Sequence, residues 1–151
     1  MKFPYKAFPR NPSEAFPDRT SELIPYLPIT LSYAGKSFDT VALADSGASH
    51  CLFPGMLGVG LGIDVEKGAK QKIYGLGRGQ VIVHFHEINL KLADCEWTAR
   101  VGFTMNDLGT TGLLGQSGFF INFRVIFDRM ENCVIVNKRT LLQRALTGLG
   151  L

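Results

Sequence analysis

Asp45 stands directly behind the apolar run Val41-Ala42-Leu43-Ala44 and directly ahead of Ser46-Gly47-Ala48-Ser49. The run reads as a buried strand, and a carboxylate at its end costs free energy unless it is paired, hydrogen-bonded or in use. General acid–base work is the chemistry open to a carboxylate so placed, and it asks for a partner elsewhere in the molecule. The small residues that follow leave room for a tight turn, because glycine lets backbone approach the acid closely. Two other constellations invite different chemistry. His84 and His86 put two imidazoles on one face of a strand, a spacing that can bind metal, but no cysteine or carboxylate stands at a persuasive third position. His50 and Cys51 are the residue types of a thiol nucleophile and its base, yet neighbours along a strand point to opposite faces and cannot pair there. The expectation is a carboxylate site with neither metal nor cofactor.

The stretch Asp45-Ser46-Gly47-Ala48-Ser49 behind an apolar strand resembles the Asp-Thr/Ser-Gly-Ala/Ser signature of aspartic peptidases, in particular the small retroviral-type, or retropepsin-like, proteases. Three further stretches arrive in that family's order. "YGLGRGQVIVHFHE" resembles the glycine-tipped flap hairpin, "TGLLGQSGFFINFRVIFD" resembles the family's two apolar residues plus glycine followed by a short helix, and "NCVIVN" resembles its last strand. Together they cover most of residues 29 to 137. The resemblance implies that Asp45 is catalytic and that Ser46, Gly47, Ala48, Ser49, Leu114 and Gly115 form and brace the active-site loop. It also implies that Gly75, Leu76, Gly77, Arg78 and Gly79 form a mobile flap over the substrate. Two positions depart from the pattern: Gln116 stands where a positive residue is frequent, and Ser49 where many viral members carry an acid.

The chemistry that this resemblance implies needs two carboxylates about 3 Å apart around one water, sharing a proton because like charges that close cannot both ionise. The chain holds no second Asp followed by Ser or Thr and then Gly: Asp94 precedes Cys95, Asp107 precedes Leu108, and Asp128 precedes Arg129. A two-fold homodimer would supply the missing half, since a residue near the axis meets its own copy. The reading is therefore an aspartic endopeptidase acting as a homodimer on peptide or protein substrates. Its alternative is a non-catalytic dimeric module of the same fold that binds peptides or protein partners.

Around these residues the chain carries the material of one β-rich domain. Its 151 residues, 46% of them hydrophobic, suffice for a single core and are too few for a two-lobed architecture. Short β-rich runs follow one another from Ile29 onward: "ITLSYAG" with a turn at Gly35-Lys36, "SFDTVALA", "QKIYG", "QVIVHFHEINLKL", "TARVGFTM" and "FRVIFDRMENCVIVN". The resemblance makes this all-β fold a retropepsin-like closed barrel or double sheet with a flap hairpin and one short helix. Helical signals appear at "SGFFINF" and in the tail, where Leu141, Leu142, Ala145, Leu146 and Leu149 form an apolar stripe. Six of the seven prolines precede residue 29, so the chain divides into an extended proline-rich arm over 1–28, a domain over 29–137 and an amphipathic tail over 138–151.

Composition excludes several classes. The net charge of +3 comes from 16 basic residues scattered among 13 acids, with no stripe that would hold nucleic acid. No apolar run is long enough to cross a bilayer, and prolines and charges interrupt the N-terminus where a signal-peptide core would lie. The chain is expected to be cytoplasmic. Cys51, Cys95 and Cys133 are odd in number and widely spaced, which suits free thiols better than a disulfide framework.

Overall fold

Alternation of apolar and polar side chains becomes strand through most of the chain, and the strands meet so that one buried run ends at Asp45. The computed structural model describes residues 1–74 and 79–140. In chain order the strands are β1 (Lys2–Pro4), β2 (Lys6–Pro9), β3 (Ser21–Ile24), β4 (Tyr26–Tyr33), β5 (Lys36–Ala44) and β6 (Leu52–Pro54), followed by the helix α1 (Gly55–Gly60). Then come β7 (Ala69–Tyr74), β8 (Gln80–Leu92), β9 (Cys95–Thr104), β10 (Leu113–Leu114), β11 (Phe123–Asp128) and β12 (Cys133–Lys138). Seven of them form a sheet in the order β4-β5-β10-β6-β9-β8-β7, and β8 pairs with β4 as well, which brings the sheet back onto itself. A three-stranded sheet, β1-β12-β11, and the two-stranded β2-β3 complete the fold.

The core follows from these registers. Leu27, Ile29 and Leu31 on β4, Ile88, Leu90 and Leu92 on β8, and Ala99, Val101 and Phe103 on β9 are buried at every second position, as a half-buried strand requires. Phe119 and Phe123 seal the same cluster, with Trp97 edge-on to Phe123 at 4.8 Å between ring centroids. Burying each Leu, Ile, Val or Phe of this set stabilises the fold by about 1.5–3 kcal/mol. On β8 the buried phase changes: Val83 and Phe85 lie on the opposite face from Ile88 and pack with Leu52 in a separate small cluster. Thus one long strand serves the main core with one face and a second apolar wall with the other.

Several expectations are corrected here. The short helix is α1 at Gly55–Gly60, whereas "SGFFINF" folds into hydrogen-bonded turns. Its backbone bonds mix spacings, with Phe120 N–H on Gly115 O, Ile121 N–H on Gln116 O and Asn122 N–H on Phe119 O, and Gly118 at φ 105° breaks a regular helix. The tight turn after β4 is Ala34-Gly35, with φ 47° and 81°, and Lys36 already begins β5; two positive φ values are what a two-residue hairpin needs. The stretch 1–28, expected as an extended proline-rich arm, carries three short strands. Lys2, Phe3 and Pro4 pair with Ile135, Val134 and Cys133, β2 pairs with β3, and the boundary drawn at 28/29 falls inside β4, where Leu27 is fully buried. Strands of three or four residues with prolines at their ends are too short to show a period in the sequence. The helical tail predicted beyond Lys138 rests on Leu141 to Leu149, which lie outside the described residues.

Candidate active site

The seat of Asp45 is built by three segments. β10 runs parallel to the end of β5, with Leu113 beside Leu43 and Leu114 beside Ala44. Leu43 N–H donates to Gly112 O at 2.8 Å, Ala44 N–H to Pro25 O at 3.0 Å and Asp45 N–H to Leu114 O at 3.1 Å, so the strand carrying the acid is tied down on both edges. The chain then turns. Gly47 N–H donates to Asp45 Oδ1 at 2.9 Å and Ala48 N–H to Asp45 O at 3.2 Å, an Asx-type turn that fixes the carboxylate and leaves its second oxygen for other partners. A Cβ on residue 47 would lie 3.2 Å from that Oδ1, which is tighter than ordinary contact. Asp45 is half-buried, while Ser46, Gly47 and Ser49 are exposed.

The segment after β10 braces this loop from below. Gln116 N–H donates to Ala48 O at 2.8 Å and Ser117 N–H to Ser49 O at 2.9 Å, while the Gln116 side-chain amide donates to Ser46 O at 2.7 Å. Where the family pattern offers a positive residue, this chain uses a neutral amide bound to backbone. Gly115 lies in the tightest spot: a Cβ there would sit 2.6 Å from the carbonyl carbon of His50 and 2.7 Å from Ala48 O. The structure therefore brings Asp45, Ser46, Gly47, Ala48, Ser49, Leu114 and Gly115 into one hydrogen-bonded unit. Of the residues that the resemblance would place in a flap, Gly75, Leu76, Gly77 and Arg78 lie outside the described residues. Gly79 is exposed just before β8, between strands that pair from Ala69↔Phe85 to Tyr74↔Gln80.

Cys51, expected from the sequence to be a free thiol, is also a member of this unit. It is fully buried beneath the loop, and its sulfur accepts the Gly115 N–H at 3.4 Å. The signal was its place, six residues after Asp45 and outside any pairing pattern. Burial pushes its thiol up to about 12, against the smaller opposing effect of that N–H. Between the ordinary thiol value and about 12 the unfolded chain ionises and the folded one does not, so this group weakens the fold as pH rises through that window. At pH 8 Cys51 is expected to resist iodoacetamide in the native protein and to react only after denaturation, as peptide mass mapping would show. Rapid native labelling would contradict this seat.

A small apolar cluster adjoins the strands that frame the loop. Leu52 pairs with Leu113 across β6 and β10, and Ile73, Val81, Leu108 and Leu113 pack half-buried against the cluster of Leu52, Val83 and Phe85. The two strand histidines take separate structural positions: a His86 ring nitrogen lies 2.9 Å from Val65 O, whereas His84 borders a cavity with Glu66 and Lys70. Among the described residues no group of three or more His, Cys, Asp and Glu is placed to hold a metal ion, and no helix is long and apolar enough to cross a membrane.

No family model matches the chain, and no curated protein matches it in sequence. Among solved structures it is similar to the crystal structure of a retropepsin-like aspartic protease from Rickettsia conorii. The TM-score is 0.57 at 14% identity, over 85% of this chain and 97% of that one. At that identity the likeness speaks for architecture: this mostly-β chain with its single short α-helix among the described residues has a retropepsin-like fold.

Proposed function

We propose that this chain is one half of an aspartic endopeptidase, assembled as a homodimer in which each protomer contributes Asp45. The observation that carries the reading is the seat of that carboxylate. It is half-buried at the end of a braced strand, held on one oxygen by the Gly47 N–H, and makes no ion pair among the described residues. A chain with one Asp-Ser-Gly needs a two-fold axis to complete a dyad, and the retropepsin-like fold supports such an assembly. In the dimer one Asp45 takes a proton from the water while its protonated copy donates to the scissile carbonyl. Ser46 reaches toward the other half of the site. An extended peptide lies between the loop and the β7-β8 hairpin, with its apolar side chains against Leu52, Val81 and Leu113.

The test combines assembly and activity. Sedimentation velocity at micromolar protein is expected to show a dimer, and incubation with a defined peptide library is expected to give internal cleavage with a bell-shaped pH profile on the acid side, blocked by a statine-type transition-state mimic. A strictly monomeric chain that cleaves, or cleavage rising steadily into alkaline pH, would overturn the reading.

A further inference from the structure

A cleft of mixed polar and apolar lining adjoins the carboxylate loop. It has a volume of about 250 Å³ and is lined by His50, Gln71, Phe85, Arg100 and Ser117, with Ala69 and Lys70 of β7 at its edge. Strand registers decide which side chains face it. Ala69 opposes Phe85, Phe85 opposes Gly102, and Glu87 opposes Arg100, so Phe85, Gln71 and Arg100 project from one face of the sheet. Lys70 opposes His84 and projects from the other face. His50 stands edge-on to Phe85 with ring centroids 5.1 Å apart, and it joins Ser117 in a parallel bridge. The cleft is therefore continuous with the loop that begins at Asp45.

Its chemistry is one-sided. The side chains offer a guanidinium, an imidazole, an amide and a hydroxyl, and no acid lines the cavity. Among the described residues Arg100 has no ion-pair partner, and the His50 ring makes no hydrogen bond. Glu87 is the one acid directly across from Arg100, yet it forms no ion pair with it and does not line the cleft. A planar guanidinium beside an aromatic wall matches a carboxylate better than any other group a peptide carries.

We infer that this cleft is a subsite that selects an acidic side chain of the peptide substrate, with Arg100 as the specificity residue and His50, Gln71 and Ser117 as further donors. The inference rests on the peptidase reading for the nature of the ligand. Two-fold symmetry places one such cleft toward each end of the groove, so an acidic residue is favoured on either side of the scissile bond and a few positions from it.

The experiment scans Glu and Gln along an otherwise fixed cleavable peptide and compares kcat/KM for each pair. At one position per side the Glu peptide is expected to be preferred by about tenfold, the worth of one charge-assisted hydrogen bond, and the preference is expected to shrink as salt is raised. In Arg100→Gln the ratio is expected to fall to about one, and in Arg100→Glu to invert in favour of a Lys peptide, with circular dichroism confirming the fold of each. A wild-type ratio near one at every position, or a ratio that survives Arg100→Gln, overturns the subsite. If no peptide is cleaved, fluorescence anisotropy of labelled Glu and Gln peptides on the wild-type chain separates the two ideas. An Arg100-dependent preference for Glu upholds the subsite while the peptidase reading falls, and equal or absent binding overturns the subsite as well.

Discussion

Asp45→Asn is expected to leave a folded dimer that cleaves nothing measurable, with kcat/KM lower by at least about 10²–10⁴-fold, the range a positioned general acid or base contributes. The amide keeps an oxygen that can accept the Gly47 N–H at the place where Asp45 Oδ1 accepts it now, so the turn and the strand behind it should survive. Circular dichroism and sedimentation would check both. The sharper measurement mixes chains. Co-folding equal amounts of wild-type and Asp45→Asn chains gives three dimers, and random assortment leaves about a quarter of them with two aspartates. A site shared across the axis should retain about a quarter of the activity, whereas two independent sites would retain half. Tagged chains followed by mass spectrometry must show that exchange has occurred, because dimers that never exchange also give one half. A half-value with exchange demonstrated would end the shared dyad. A dimer that binds peptide with undiminished affinity and cleaves none would favour the non-catalytic module.

How much of this was legible depends on the range over which each residue acts. Strands such as Gln80–Leu92 were readable as long β-rich runs, because apolar and polar side chains alternate on both sides of the one change of phase between Phe85 and Ile88. The shape of the 45–49 turn was readable as well, because Gly47 and Gly115 answer to local sterics, where a Cβ would meet the Asp45 carboxylate or neighbouring backbone. The N-terminal strands were not. β1 exists because Lys2, Phe3 and Pro4 meet Ile135, Val134 and Cys133 more than a hundred residues away, and three residues carry no period. "SGFFINF" misled for the opposite reason. Its apolar spacing fits a helix, but Phe119 and Phe123 are spaced for the core, and the Gly118 carbonyl is taken by Trp97 Nε1 at 2.7 Å. The cleft around Arg100 had no sequence signature at all, since its members come from five separate segments joined only by strand pairing and one isolated bridge.

Gly115→Ala is expected to damage both stability and activity, although it adds a single methyl group. The new Cβ would fall within 2.7 Å of Ala48 O and 2.6 Å of the His50 carbonyl carbon, and both are backbone atoms that no rotamer change can move aside. Relief requires the 45–51 loop to lift from the 114–117 segment, which stretches the bonds from Gln116 N–H to Ala48 O and from Ser117 N–H to Ser49 O. Overpacking of this kind costs about 1–3 kcal/mol, so the melting temperature should fall by roughly 2–12 °C for a chain of this size. Activity should fall further than the folded fraction does, because a displacement of about 1 Å at a catalytic group can cost on the order of 10²-fold. Gly79→Ala is the stability control: its Cβ would meet nothing within 4 Å, so its melting temperature should stay near that of the parent. The comparison isolates the steric argument from any general effect of removing glycine, which by itself stabilises slightly through the unfolded chain. If Gly115→Ala melts with the parent and cleaves as fast, then the loop does not rest on the 114–117 segment, and the bracing assigned to Leu114, Gly115 and Gln116 is wrong.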